Sequence, residues 1–455
     1  MTPVVLPIAF RDPLVAFAPL ADSAMAVLLD SAQTDAQGRY SYIAADPFRV
    51  IRCTSHPWSV TVDGAAVAGD PFAILADEMA RFKTPSPEQA PFGGGAIGFF
   101  SYELGGTTER LPPPRTTPCP DDMVVGLYDV VAVFDLERRE AWVISTGLPE
   151  GTAAHAKARA AWLAAALGDQ AVASPVIKAR PWTAEIARPT YEAKVAEIVE
   201  AIHAGDIYQA NFTQRFTADA NDQSLFDLYR RLRSLAPAPF GAFLNAGETR
   251  ILSASPERFL KVDSNGNVET RPIKGTRPRG DTPATDAAFA AELVASTKDR
   301  AENLMIVDLL RNDLARVCEP GSIAVPQLCA LETFPAVHHL VSVVTGQLRN
   351  GRTAADLLRA AFPGGSVTGA PKIKAMEVIH AQEPSARGPY CGAIAWLGFD
   401  GAMDSSIVIR TLVQTGDIIA AQGGGGIVAQ SDPAAEYDES MTKVKPLLAV
   451  LDGAP

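Results

Sequence analysis

Arg271-Pro272-Ile273-Lys274-Gly275-Thr276-Arg277-Pro278-Arg279-Gly280 places four cations within nine residues. Its prolines fix φ and remove backbone donors, while Gly275 and Gly280 admit close approach or positive φ. The stretch therefore predicts a stiff cationic loop. In an acidic chain such a loop is either a basic turn in solvent or one wall of a pocket for a small anion with more than one carboxylate or phosphate. The remainder of the chain bears on that choice.

At 455 residues the chain is long enough for two or three domains, or for one unit of intertwined sheets. Its hydrophobic fraction of 47% and charged fraction of 20% are those of a soluble globular protein. No run approaches the roughly 18 apolar residues of a membrane span. Met1-Thr2-Pro3-Val4-Val5-Leu6-Pro7 lacks a basic segment and is a poor secretory signal, so a cytoplasmic location is expected. A net charge of −12 argues against nucleic acid or an anionic membrane surface as partner. The five cysteines, scattered and without a CxxC pair, read as reduced packing residues, and the six histidines show no zinc spacing.

Along the chain, Ala24 to Leu29, Gly38 to Ala44 and Pro91 to Glu103 read as strands, and Val60 to Val67 as a hairpin about Asp63-Gly64. Gly126 to Ile144 reads as two strands separated by Glu137-Arg138-Arg139-Glu140. Gly151 to Leu167 is helical, and Ser174 to Pro181 reads as a linker that divides residues 1–180 from 181–455. A helix over Thr190 to His203 stops at Gly205-Asp206, and strands follow at Ile207 to Phe216, Gly241 to Leu244 and Ile251 to Ser255. Asp286 to Val317 reads as one long helical stretch.

That stretch carries Asp299 and Glu302 on one face, and Glu436 and Glu439 repeat the spacing with Lys443 one turn on. Each pair alone suits a solvated helix face; together they could give an all-oxygen site for a hard cation such as Mg²⁺. Two glycine-rich stretches invite a nucleotide reading. Phe362 to Lys372 has Ala370 where a P-loop needs lysine, and Gly423 to Gly426 lacks the GxGxxG spacing. What both retain as loops is backbone N–H groups that suit carboxylates.

Taken in order, Ile207 to Phe216, Ser255-Pro256-Glu257-Arg258-Phe259, Pro272 to Gly280, Met305 to Leu314, His339 to Ser342, Phe362 to Lys374, Ile409-Arg410-Thr411 and Gly424 to Val428 resemble the chorismate-utilising enzymes. The likeness runs from Leu28 to the C-terminus. It implies an α+β fold in which two large antiparallel sheets pack as a sandwich with helices outside. It also implies an active site in a cleft of the C-terminal region, 181–455. By resemblance Glu302 and Glu439, accompanied by Asp299 and Glu436, hold Mg²⁺. Arg410, Tyr390, Lys443, Thr276 and the backbone of Gly424, Gly425 and Gly426 match substrate-binding groups. His339 matches the active-site histidine, and Glu257 the acid near the leaving hydroxyl.

Members that add water carry a lysine two residues after the tyrosine of the Tyr-Gln motif; here that position is Ala210. Ammonia, already a good nucleophile, is therefore the expected co-substrate. No cysteine sits in a Gly-x-Cys-x-Gly elbow, which implies a separate glutamine amidotransferase subunit. The branch that aminates chorismate at C4 carries Pro-Ile-Lys-Gly-Thr, as Lys274 does here, whereas the rival C2 branch has alanine at that place. The lysine is expected to attack the substrate covalently, activated by burial beside Arg271 and Arg277, or else to pair with a substrate carboxylate. A catalytically inactive binding or regulatory subunit is the alternative of another class, disfavoured by the intact set of Glu257, Lys274, Glu302, His339, Arg410 and Glu439. The resemblance also implies a tryptophan pocket at Ser31, Tyr40, Ser41, Pro239 and Phe240. Gly241 departs from the methionine often found there, so tryptophan is expected to bind without strong inhibition.

Overall fold

Strand Val130–Asp135 is apolar at five consecutive positions, and the computed structural model gives the reason. Val130, Ala132 and Phe134 face a layer of helices, while Val131 and Val133 face a second sheet. A strand covered on both faces loses the alternation of a half-exposed one. The structure describes residues 2–32, 37–55, 57–115, 119–334 and 337–452. Met1, part of the segment read as a poor secretory signal, lies outside them.

Two twelve-stranded sheets make the frame. The first runs from Val4–Ile8 through Glu140–Ser145, Val130–Asp135, Tyr40–Ala44, Val27–Asp30, Phe240–Asn245, Thr249–Ser255, Thr411–Thr415 and Ile418–Ile427 to Gln209–Asp219 and Thr183–Ala184. The second runs from Ala65–Val67 through Gly95–Phe100, Ala393–Gly398 and Met403–Ile407 to Val337–Gln347 and Ile273–Pro278. Pairing is antiparallel. Val27–Asp30 pairs with Phe240–Asn245, and Gly95–Phe100 with Ala393–Gly398, so each sheet takes strands from both sides of the extended segment at 174–181.

Between the sheets lies an apolar layer that includes Tyr42, Phe99, Val133, Leu244 and Trp396. Helices Ala153–Ala166, Leu225–Leu235 and Pro433–Leu448 cover the outside of the first sheet, and Pro71–Ala80, Thr297–Ala315 and Ala354–Ala361 that of the second. The expected α+β sandwich is the observed architecture. No helix is long and apolar enough to cross a membrane among the described residues, and all five cysteines are buried thiols. The hairpin about Asp63-Gly64 forms, with φ of 50° and 81° at its two turn residues.

Four local expectations are corrected. The cationic stretch is not a loop: Ile273–Pro278 is a strand paired with Val337–Gln347 and bulged between Lys274 and Thr276. Gly275, at φ +82°, is needed there because a Cβ would lie 2.9 Å from both Asp299 and Leu293. Gly423 to Gly426 likewise lies inside strand Ile418–Ile427, where a Cβ on Gly424 would come within 2.0 Å of the Phe212 carbonyl oxygen. The helical stretch from Asp286 is two helices, Pro283–Ala295 and Thr297–Ala315, because the Ser296 hydroxyl caps the second by accepting from the Asp299 N–H. Finally, Gly126 belongs to a third strand, Met123–Tyr128, ahead of the two expected.

Candidate active site

The cations of the bulged strand have separate fates. Arg271 pairs with Glu332 at 2.5 Å, Arg277 with Glu292 at 2.8 Å and Asp299 at 3.3 Å, and Arg279 with Asp286 at 2.7 Å. The arginines thus neutralise protein carboxylates and build no anion pocket. Lys274 instead donates to the Ser366 carbonyl at 3.3 Å. Burial pushes its amine below the ordinary lysine range, and Lys443 adds to that, while Glu257, Glu302 and Glu439 oppose it. Of the expected activation by burial beside Arg271 and Arg277, the burial acts on Lys274, whereas the two guanidiniums pair with Glu332, Glu292 and Asp299 and do not contribute.

Glu257 stands beside Lys274 at the end of strand Thr249–Ser255. Burial raises its carboxyl above the ordinary range, against the opposing pull of Lys274 and of the Ser366 hydroxyl. Desolvation therefore drives acid and amine together toward their neutral forms. That is the state in which one can give a proton and the other an electron pair.

The two acidic helix faces converge on the same place. Glu302 and Glu439 both act on Lys274, and Glu302 also senses Glu439. Burial lifts the Glu302 and Glu436 carboxyls, whereas Lys443, at 2.6 Å, holds Glu439 low against its own desolvation. Asp299 and Glu436 are turned to side partners, Arg277 at 3.3 Å and the Ser431 hydroxyl at 2.6 Å. Among the described residues, no three His, Cys, Asp or Glu side chains close into a metal cage. The all-oxygen donor set, with carboxylates that repel one another, nonetheless fits a hard divalent cation.

Opposite lies strand Ile418–Ile427. Its pairing with Thr411–Thr415 ends at Ala421, so among the described residues no strand lies beside that edge from Gln422 onward. Lys443 donates to the Gly424 carbonyl at 3.0 Å, and a Cβ on Gly425 would stand 3.2 Å from Glu436 and 3.6 Å from Glu439. Arg410, at φ +53°, donates to the Lys443 carbonyl and lies beside buried Tyr390. His339 Nδ1 and the Thr276 hydroxyl are 2.9 Å apart, and burial lowers the imidazole's basicity. Lys274, Glu257, Glu302, Glu439, Lys443, Tyr390, Arg410 and Gly424 to Gly426 thus share one region, with the His339–Thr276 pair on the strands carrying Lys274.

Ser31, Tyr40, Pro239 and Phe240 line a separate cavity of about 940 Å³ between the sheets, together with Trp396 and Arg258. Ser41 does not line it; its hydroxyl, fully buried behind the wall, donates to Asp30 at 3.3 Å. At Gly241 a Cβ would meet the Tyr229 hydroxyl at 3.0 Å and the Asp30 carbonyl at 3.1 Å, so a larger side chain at the methionine position of the resemblance would need these neighbours to shift.

Sequence reasoning missed three contributors. Ser366 contacts both Lys274 and Glu257, and its only signal was its place between glycines. Lys298 lies 4.0 Å from Glu302 and acts on Glu436 and Glu439 as well. The buried pair Arg387–Glu383, at 2.7 Å, braces the strand and the turn beneath the site, and its i,i+4 spacing was the one local signal.

Residues 26–449 match the model of the chorismate binding enzymes. The chain is 44% identical over 443 residues to aminodeoxychorismate synthase component 1 of Klebsiella aerogenes, covering 96% of each chain. It is 40% identical over 464 residues to the Escherichia coli (strain K12) protein of the same name, covering 99% of each. Anthranilate synthase component I from Streptococcus pneumoniae TIGR4 superposes with a TM-score of 0.81 at 32% identity, over 91% of this chain and 93% of that one.

Proposed function

The chain belongs to the chorismate binding enzyme family, and on that premise we propose that it acts as component I of an aminodeoxychorismate synthase. It converts chorismate and ammonia to 4-amino-4-deoxychorismate, for para-aminobenzoate and folate synthesis. The carrying observation is that Lys274 and Glu257 share Ser366 as a neighbour and act on each other electrostatically, while burial lowers the amine and raises the carboxyl. The relatives at 44% and 40% identity support the C4 branch over the C2 branch.

In this reading Arg410, Tyr390, Lys443, Thr276 and the Gly424 to Gly426 backbone orient the dianionic substrate. The Lys274 amine attacks C2, the ring double bonds shift, and the C4–O bond breaks as Glu257 gives its proton to the departing oxygen, which leaves as water. Nζ then sheds its surplus proton to the Glu257 carboxylate. Ammonia bonds at C4, the double bonds shift back, and the N–C2 bond breaks with Glu257 protonating Nζ. The new C4 ammonium returns that proton to Glu257, so atoms and charge balance over the cycle. His339, held by Thr276, has its basicity lowered by burial. Glu302 and Glu439, with Asp299 and Glu436 beside them, would hold Mg²⁺, which supplies positive charge to screen a substrate carboxylate from the acidic helices.

Chorismate consumption with Mg²⁺ and ammonium salt tests the reading. The isolated chain is expected to turn over with ammonium at raised pH, where free ammonia is available, and not with glutamine. Adding a glutamine amidotransferase subunit should restore glutamine use. Glutamine-dependent turnover by the purified chain alone would contradict the separate subunit.

The cavity at Ser31, Tyr40, Pro239 and Phe240, with Ser41 behind it, is proposed to take tryptophan without strong inhibition. Calorimetry is expected to give a heat of binding at tryptophan concentrations that leave turnover nearly unchanged. No heat, and no tryptophan retained on purification, would remove the idea.

A further inference from the structure

Ser366 lies between the nucleophile and the acid, on a turn held from beneath by groups that do not reach the cleft. Asn211 Nδ2 donates to the Ser366 carbonyl at 3.0 Å and to the Thr368 carbonyl at 3.3 Å. Arg387, 2% exposed, donates to the Val367 carbonyl at 2.8 Å and to the Asn211 carbonyl at 2.7 Å. Its charge is balanced by Glu383, which also accepts from the Thr213 N–H at 3.0 Å and hydroxyl at 2.8 Å. A Cβ on Gly364 would strike Ile407 at 2.7 Å, and one on Gly365 would strike Leu309 at 2.6 Å, so the turn is also clamped sterically. A serine on so rigid a mount presents both its carbonyl and its hydroxyl at fixed places.

We propose that Ser366 is a positioning residue that couples the two reacting side chains: its carbonyl aims the Lys274 amine, and its hydroxyl holds the Glu257 carboxyl. An amine that donates one N–H to a fixed oxygen has its lone pair turned away from that oxygen, toward the open cleft. A hydroxyl that donates to the carboxylate stabilises the charge Glu257 acquires as it gives its proton to the leaving C4 oxygen. The nucleophile is thus oriented and the acid assisted from one residue. Formation of the N–C2 bond and breaking of the C4–O bond are timed together by a single turn.

The inference rests on the proposed covalent lysine, so the test reads that step directly. Wild type, Ser366→Ala and Ser366→Thr chains are mixed with chorismate and Mg²⁺ without ammonia, and the added mass on the peptide holding Lys274 is followed in time. Steady-state turnover with ammonium is measured alongside. Ser366→Ala is expected to slow adduct formation and kcat about tenfold, the scale of one charge-assisted hydrogen bond, with little change in the KM for chorismate. Ser366→Thr, which keeps the hydroxyl, should retain most of both rates. An Ala variant that forms adduct at the wild-type rate, or a Thr variant as slow as Ala, would overturn the role of the Ser366 hydroxyl, and with it the coupling of the two side chains, while leaving the covalent lysine intact. Absence of any adduct in the wild type would overturn the covalent reading and this inference with it.

Discussion

Lys274→Ala is expected to make 4-amino-4-deoxychorismate about a thousandfold more slowly, as loss of a covalent nucleophile does. A free lysine with a reference pKa near 10.4 is neutral in only about one molecule in a thousand at neutral pH. The amine here gains its neutral fraction from burial, assisted by Lys443, despite the opposing carboxylates. The sign is favourable for attack, since a lowered pKa exposes the lone pair at lower pH. Alanine cannot form the N–C2 bond, so ammonia is left to attack directly, and the residual product should shift toward amination at C2. Chromatography of the aminated products measures both rate and regiochemistry. A variant that kept its rate and its C4 product would make Lys274 a spectator, a point charge for a substrate carboxylate, and the case against C2 amination would lose its main residue.

The second large effect concerns the acidic helices. Glu302→Gln or Glu439→Gln preserves size while removing one charge from a hard-oxygen site, and Mg²⁺ affinity is expected to fall on the order of a hundredfold, with turnover falling in parallel. Calorimetric titration of Mg²⁺ checks affinity apart from activity. The two variants should differ without metal. Glu302 is raised by burial and repelled by Glu439, so its loss relieves repulsion; Glu439 is tied to Lys443 at 2.6 Å, so its loss frees that lysine. Wild-type activity across a Mg²⁺ titration in either variant would remove that carboxylate from the site.

Much of the molecule was legible before folding. The apolar run Val130 to Phe134 announced a strand, and the Asp63-Gly64 turn announced its hairpin, because strand period and turn dihedrals are local properties. The acidic i,i+3 pairs were legible for the same reason, as helical spacing fixes which residues share a face. The motifs around Glu257, Lys274 and Arg410 were legible through resemblance. The cationic stretch misled because local charge density says nothing of its partners. Arg271, Arg277 and Arg279 are neutralised by Glu332, Glu292, Asp299 and Asp286, all from other elements of the fold.

The amino-acid sequence by itself determined many of the strands and helices, and through resemblance it implied the two-sheet sandwich and the side chains able to carry the chemistry. Tertiary structure alone decided which of those side chains are activated. Burial and electrostatic fields sum over groups far apart in the chain: Ser366 reaches Lys274 across 92 residues, and Arg387 reaches Asn211 across 176. No local window contains both ends of such contacts, so the lowered amine, the raised carboxyl and the rigid turn between them exist only once the two sheets have closed.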